Sequence, residues 1–161
     1  MKKIILTSLF CFFVSTSAFS QVIWQKAQKG MTAEQVKKVF PKAETVIPTS
    51  GTTLGDGAER LLALNDYEIN SFKFDAFFYF KDKKLIQVTL SSKEEYPEIV
   101  YKKMVESFRL KYGEERSTNN MSIGQEKTWI TSDKTEITVS FMAGKMGVYY
   151  SARASNELSK L

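Results

Sequence analysis

Residues 71–92, SFKFDAFFYFKDKKLIQVTLSS, decide the fold because two alternating runs flank a polar break. Side chains alternate between the two faces of a strand, so every second residue of each run shares a face. One face of the first run carries Phe72, Phe74, Ala76, Phe78 and Phe80, and one face of the second carries Ile86, Val88 and Leu90. The break at residues 81–84, KDKK, is typical of a turn, so the pattern predicts an antiparallel β-hairpin.

The length of the turn determines which faces of the two strands meet. An odd loop places Phe78 beside Val88 on one apolar face, whereas an even loop would set the phenylalanines beside Gln87 and Thr89. A one-residue slip would move an entire apolar set into water, so we predict a three-residue loop with Phe78 and Val88 in the core. Such a loop requires a left-handed residue near Lys83, where a non-glycine residue costs about 1 kcal/mol.

The N-terminal segment has the layout of a secretory signal peptide. Two lysines precede an apolar run over residues 4–14, and small polar residues follow it. A helix needs about 20 apolar residues to cross a bilayer, so this run is too short to be a membrane anchor. We expect a signal peptide over residues 1–20, with cleavage near Ser20 or after Ala18, and a periplasmic or secreted protein.

Composition narrows the possible chemistry. The one cysteine, Cys11, lies inside the apolar run beside Phe10, a context that does not fit a lipid-bearing cysteine. The mature chain therefore has no disulfide, and the absence of histidine removes the commonest general base and metal ligand. Removing the two signal-peptide lysines lowers the formal charge from +5 to +3, too little to indicate nucleic acid. We expect no cofactor and no transmembrane segment in the mature chain.

Two helices are predicted in the mature chain. Thr32 and Gln35 fit a capping box at the start of a short helix that Pro41 ends. The second helix begins near Pro97 and ends at Gly113. Its apolar residues recur every three or four positions, which is typical of a helix that packs on a core.

Most of the remaining residues are predicted to form loops and strands. Residues 42–58 and 114–124 are rich in glycine or polar residues and are predicted to be loops. Residues 59–64 are predicted to form a strand. In the C-terminal part, a turn at residues 132–134 puts Trp129 on the same face as Ile137.

A last turn, at residues 143–145, precedes Val148, Tyr149 and Tyr150. Its register stays open, because adjacent tyrosines offer an aromatic side chain to either face of the strand.

The two halves of the mature chain share one predicted order of elements: helix, loop, strand, strand, strand. The first repeat covers about residues 30–92 and the second about residues 93–153. We therefore predict an α+β, two-layer fold, a single domain over residues 21–161. Two helix-plus-three-strand repeats would share one antiparallel sheet of about six strands, with both helices on one face.

Residues 30–41, GMTAEQVKKVFP, resemble the opening helix motif of the SmpA/OmlA outer-membrane assembly proteins through Gly30, Met31, Thr32, Val36, Phe40 and Pro41. The predicted order of elements is similar to the β-lactamase inhibitory protein, which has the same module. In that group the sheet face away from the helices binds another protein without catalysis. The resemblance therefore implies a protein-binding module, although the lipid-bearing cysteine of the group is absent here.

We expect an exported, non-catalytic protein-binding module that acts as an inhibitor, an immunity-type protein or an envelope-assembly accessory. Its partner would be an envelope or periplasmic protein. The contact residues are predicted to be apolar side chains on the helix-free face, namely Phe77, Tyr79, Leu85 and Tyr149. The N-terminal segment around Ile23 and Trp24 could instead fold over that face and bury it.

Two other functions remain open. A small-ligand or envelope-polymer binder would use a cleft between the sheet and residues 42–58. A carboxylate-based hydrolase would depend on acids such as Asp56, Asp75 or the pair Glu94 and Glu95. No base with an orienting partner is visible, so no catalytic or metal-binding residue is assigned.

Overall fold

A computed structural model describes residues 21–152, and strands hold almost half of them. The predicted signal peptide, with Cys11, and the residues after Ala152 lie outside the described part. The elements are β1 (Val22–Trp24), β2 (Ala27–Gln28), α1 (Ala33–Val39), β3 (Glu44–Thr45), β4 (Glu59–Ile69), β5 (Phe72–Lys81), β6 (Lys84–Ser92), α2 (Pro97–Tyr112), β7 (Ser117–Met121), β8 (Gly124–Ile130), β9 (Glu136–Met142) and β10 (Lys145–Ser151).

Eight strands form one antiparallel sheet, in the order β3-β4-β5-β6-β10-β9-β8-β7, while β1 pairs with β2 separately. The predicted fold class is therefore wrong. The described residues are mostly sheet, with 48% in strands and 20% in helices, and they do not form two helix-plus-three-strand repeats on a six-stranded sheet. The loops predicted at residues 42–58 and 114–124 each contain an edge strand, β3 and β7.

The edge strands escaped prediction for a physical reason. β3 has only two residues, and every residue of β7, STNNM, is exposed. Neither strand buries a face, so neither carries the alternation of apolar and polar residues that marks a strand. Pairing to β4 and to β8 holds them in the sheet.

The turn of the central hairpin differs from the predicted three-residue loop. Lys81 pairs with Lys84 across a two-residue turn, and both Asp82 and Lys83 have positive φ, at 50° and 62°. The predicted left-handed residue at Lys83 is confirmed, and the turn is the type I′ that suits the twist of a hairpin. A bulge at Ile86 adds the missing residue, because Tyr79 pairs with Gln87 while Phe80 pairs with Leu85.

The bulge restores the predicted register for most of the hairpin. Phe78 pairs with Val88 and Ala76 pairs with Leu90, and all four side chains are fully buried. A two-residue turn without the bulge would have placed the phenylalanines opposite polar residues. The core positions of Phe78 and Val88 are therefore confirmed, although the turn that produces them is not the one predicted.

Both helices begin and end at the predicted signals. Thr32 and Gln35 form the capping box of α1, with Gln35 N donating to Thr32 Oγ1 at 3.3 Å and Thr32 N donating to Gln35 Oε1 at 2.8 Å. Pro97 occupies the first turn of α2, and Gly113 follows its end at a φ of 82°. No helix within residues 21–152 is long and apolar enough to cross a membrane.

The helices and the N-terminal hairpin pack on the same face of the sheet, which carries Phe78 and Tyr150. Trp24 of β1 stacks on Phe40, which follows α1, with ring centroids 5.3 Å apart. Phe40 lies 5.4 Å from Phe78, and Phe108 of α2 lies 6.4 Å from Tyr150. One hydrophobic cluster therefore joins both helices to the sheet.

Glu115 connects the end of α2 to the β7–β8 hairpin. Its carboxylate accepts hydrogen bonds from Arg109, at 2.8 Å from Nε and 2.7 Å from Nη2. Lys127 Nζ donates to the same carboxylate, and Thr118 Oγ1 donates to it at 3.2 Å. The hydrogen bonds from Arg109, followed by that from Lys127, hold the pKa of the Glu115 carboxyl well below its usual range.

We expect Glu115→Gln to make the protein less sensitive to acid. Below the ordinary carboxyl value of 4.5 the unfolded chain protonates Glu115 while the folded protein keeps it ionised. The unfolded state then binds more protons, so the contribution of Glu115 is present above that value and is lost as the pH falls towards the lowered folded pKa. Urea unfolding through the acid range should show a smaller loss of unfolding free energy for the variant.

The control for this experiment is Glu114→Gln. Glu114 lies 3.4 Å from Arg109 Nε, but its side chain is 84% exposed, so this variant should keep the wild-type acid dependence. Identical acid dependence of wild type and Glu115→Gln would contradict the assigned role of the Glu115 carboxylate.

Candidate functional site

The face of the sheet opposite the helices is called the helix-free face. Phe77, Thr89 and Tyr149 occupy opposed positions on β5, β6 and β10, so all three side chains project from it. Neighbouring strands lie about 4.8 Å apart, which places Phe77 and Tyr149 roughly 10 Å apart with Thr89 between them. Two of the four predicted contact residues thus flank a shallow polar floor.

Arg60 of β4 lies over the ring of Phe77. Its Cζ atom is 4.5 Å from the centroid of the Phe77 ring, which is the geometry of a cation–π contact. Arg60 is opposed to Tyr79, so the pairing of β4 with β5 brings these three side chains together. Among the described residues Arg60 forms no ion pair, and its Nε is buried without a hydrogen-bond partner.

Tyr79 packs within the cluster of Arg60 and Phe77 and exposes little surface of its own. It is opposed to Arg60 on one side and to Gln87 on the other, and only 9% of it is exposed. Burial raises the pKa of the Tyr79 phenol, so the side chain stays neutral at physiological pH. Gln87 Nε2 donates to Thr89 Oγ1 at 3.1 Å, which fixes the floor beside it.

Tyr149 is the most exposed aromatic side chain of the helix-free face, at 38%. Its ring lies along β10 over Gly147, because a Cβ atom there would come within 3.3 Å of the Tyr149 hydroxyl. Burial of the phenol, and after it the nearby Glu126 carboxylate, raises the pKa of Tyr149. The register of β10 places Tyr150 on the opposite, buried face, which resolves the choice between the two tyrosines.

The part of the face formed by β8 and β9 is hydroxyl-rich and acidic. Thr128 and Thr138 are opposed, with their hydroxyl oxygens 3.2 Å apart. Ser140 Oγ donates to Glu126 Oε1 at 3.1 Å. The helix-free face therefore has an aromatic part with one unpaired cation and a polar part with a carboxylate.

The predicted placement of Leu85 on this face is wrong. Leu85 is opposed to Phe80 and is fully buried in the core. The bulge at Ile86 is the cause, since it changes the face on which the residues before it lie. The suggestion that the N-terminal segment covers the helix-free face is also wrong, because Trp24 packs against Phe40 and Phe78 on the other side.

Residues 42–58 extend the edge of the sheet. Glu44 pairs with Ala63, Val46 N donates to Leu61 O at 2.9 Å, and Thr53 forms an isolated bridge with Glu59. The segment thus runs beside β4, which is not the position of a flap over a cleft.

The acidic side chains considered for hydrolysis accept hydrogen bonds from the backbone or form ion pairs. Asp75 accepts a hydrogen bond from Asp66 N at 3.1 Å and lies 3.5 Å from Lys93 Nζ. Glu94 Oε1 accepts a hydrogen bond from Lys73 N at 2.7 Å. Within residues 21–152 no group of three or more His, Cys, Asp or Glu side chains could hold a metal ion.

Sequence reasoning missed Arg60. The contact of Arg60 with Phe77 depends on the pairing of β4 with β5. Nothing in the segment ERLLAL indicates that its arginine lies next to Phe77. The outward positions Thr138 and Ser140 were readable from the alternation in EITVSFM.

Comparison with known proteins matches this chain to no family model, no curated protein and no solved structure. The resemblance to the SmpA/OmlA proteins therefore stays an expectation that depends on the motif at residues 30–41.

Proposed function

We propose that this protein is an exported, non-catalytic module that binds another protein on its helix-free face. The observation that carries the proposal is the stack of Arg60 on Phe77, with the partly exposed ring of Tyr149 on the same face two strands from Phe77. Arginine and tyrosine are enriched among the residues that dominate binding energy at protein interfaces. The signal-peptide pattern of residues 1–20 supports a partner in the periplasm or envelope.

The cluster is suited to binding because its side chains are already positioned. Phe77 holds the Arg60 guanidinium, and Tyr79 is opposed to Arg60 on the neighbouring strand. A guanidinium held in this way loses less conformational entropy when it pairs with a carboxylate. We therefore expect the partner to offer an Asp or Glu side chain to Arg60 and an apolar surface to Tyr149.

An inhibitor, an immunity-type protein and an envelope-assembly accessory would all use such a surface. They differ in the identity of the partner, so the experiment has to identify it. A single surface position with a matched control on another face can do this in living cells.

We expect a photo-crosslinking amino acid at position 149 to give one dominant adduct with another protein. The control position is 110, on the outer surface of α2, where Leu110 is 90% exposed. A crosslinker there should give no adduct with the same protein. Mass spectrometry identifies the captured protein, and identical adduct patterns at the two positions would argue against a specific interface.

The captured protein, once purified, allows a quantitative test. Arg60→Ala should weaken its binding by at least about tenfold, because a central interface arginine commonly contributes about 1.4 kcal/mol or more. Thermal melting of the variant verifies that the fold is intact. Unchanged affinity of a folded Arg60→Ala protein would rule out the Arg60 cluster as the centre of the interface.

A further inference from the structure

A concave surface lies on the opposite side of the sheet, between α2 and β1, and we call it the α2 groove. It encloses about 760 Å³. Sites for small molecules commonly enclose roughly 300–1,000 Å³. Its walls come from β1, from α2 between Met104 and Tyr112, and from the turns that join β4 to β5 and β8 to β9; Ile137 and Tyr150 form its floor.

Tyr150 gives the floor one polar group in an apolar setting. The residue is only 9% exposed, and its ring lies 6.5 Å from that of Trp24 and 6.4 Å from that of Phe108. Its hydroxyl makes no hydrogen bond with the described residues. The fully buried side-chain atoms without a partner among residues 21–152 are Arg60 Nε and the Tyr101 hydroxyl, so the Tyr150 oxygen is open to the groove and can donate and accept a hydrogen bond there.

Burial raises the pKa of the Tyr150 phenol, with a smaller effect from Tyr112. The group is therefore neutral across the physiological range and can donate its proton in a hydrogen bond. A neutral phenol among aromatic rings favours an uncharged ligand, because an ion would lose its hydration without a counter-charge at the floor.

The rim of the groove carries balanced charge. Lys111 on α2 and Asp133 in the β8–β9 turn contribute one cation and one anion. Lys111 Nζ lies 5.0 Å from the centroid of the Tyr112 ring, and Asp133 accepts a hydrogen bond from Thr131 Oγ1. Both groups have local partners, so the rim does not select a charged ligand.

We propose that the α2 groove binds a small, uncharged aromatic molecule whose hydroxyl or carbonyl group pairs with the Tyr150 phenol. Aromatic rings stack or meet edge-to-face at centroid distances of about 4.5–7 Å. Trp24 and Phe108 line the groove, and the small exposed part of each ring, 4% and 6%, is what a ligand would meet. This site is independent of the helix-free face.

The probe for the test is 2-naphthol, with naphthalene as the analogue that lacks the hydroxyl group. We expect 2-naphthol to cause saturable NMR shifts of the Trp24 indole and of the Ser107 and Asp133 amides in the purified protein. Tyr150→Phe removes one oxygen atom and should lower the affinity for 2-naphthol about fivefold, the usual effect of one neutral hydrogen bond. It should leave the affinity for naphthalene unchanged.

A second pair of variants tests the location of the site. Ser107→Trp places a large side chain in the wall of the groove and should abolish the shifts from both probes. Leu110→Trp, on the exposed side of the same helix, should bind both probes as wild type does. Absence of saturable shifts at the groove, or equal 2-naphthol affinities of Tyr150→Phe and wild type, would overturn the proposal.

Discussion

Replacing Phe78 with alanine is expected to lower the free energy of unfolding by about 3–5 kcal/mol, the usual range for a buried phenylalanine. Phe78 is fully buried and is opposed to Leu62 and Val88 in the two neighbouring strands. Its ring also lies 6.0 Å from Trp24 and 5.4 Å from Phe40. The cavity would thus open where the sheet, β1 and the residue after α1 meet, and these surroundings cannot collapse independently.

The measurement is urea unfolding of the purified variant, followed by intrinsic fluorescence. A loss of this size is a large part of the 5–15 kcal/mol by which domains are typically stable. Phe77→Ala, at the adjacent residue, is the control. Phe77 is half-buried on the helix-free face, so its removal should cost clearly less. Equal losses for the two variants would show that the core does not lie on the side of Phe78.

Gly124→Ala should destabilise the protein by roughly 2–6 kcal/mol, through backbone strain and overpacking together. Gly124 opens β8 with a φ of 156°, a conformation that favours glycine. A Cβ atom there would lie 1.9 Å from the carbonyl oxygen of Phe141 and 2.9 Å from the Cα of Met142. These atoms belong to the backbone of the paired strand β9, so they cannot move aside without breaking the β8–β9 ladder.

Gly144→Ala separates the two causes. Gly144 also has a positive φ, at 72°, but a Cβ atom there would meet nothing within 4 Å. Its cost should be limited to backbone strain of about 1–2 kcal/mol. Chemical unfolding of both variants gives the comparison. A Gly124→Ala protein as stable as Gly144→Ala would show that β8 does not approach β9 so closely.

The central hairpin shows how far sequence reasoning can reach. Apolar alternation correctly placed Phe78 and Val88 in the core, since only one parity buries both apolar sets. The same parity can arise from a three-residue turn or from a two-residue turn with a bulge. The sequence KDKKLI does not separate these solutions, so the face assigned to Leu85 was wrong.

The edges of the sheet were beyond prediction for another reason. Hydrophobic periodicity reports burial, and β7 buries no side chain. Its place in the sheet depends on main-chain hydrogen bonds to β8, which any sequence without proline can form. The helices, in contrast, were predictable because Thr32, Gln35, Pro97 and Gly113 act through local geometry.

The residues of the candidate site also divide into those that the local sequence predicts and those that depend on strand pairing. The aromatic side chains Phe77 and Tyr79 were predictable as outward positions of a strand, whereas the choice of Tyr149 over Tyr150 required the register of β10. The position of Arg60 was not predictable, because it depends on pairing between strands and on an irregularity in the register of β4 between Arg60 and Leu62.

The position of β10 has a consequence for the order of assembly. This strand is the last of the described elements, yet it lies in the middle of the sheet, between β6 and β9. Before it pairs, the strands on its two sides form separate halves, each with an open edge. Closure requires distant residues such as Leu90 and Val148 to meet, and non-local pairings of this kind slow folding. The sheet can therefore close only after β10, at Lys145–Ser151, has been synthesised.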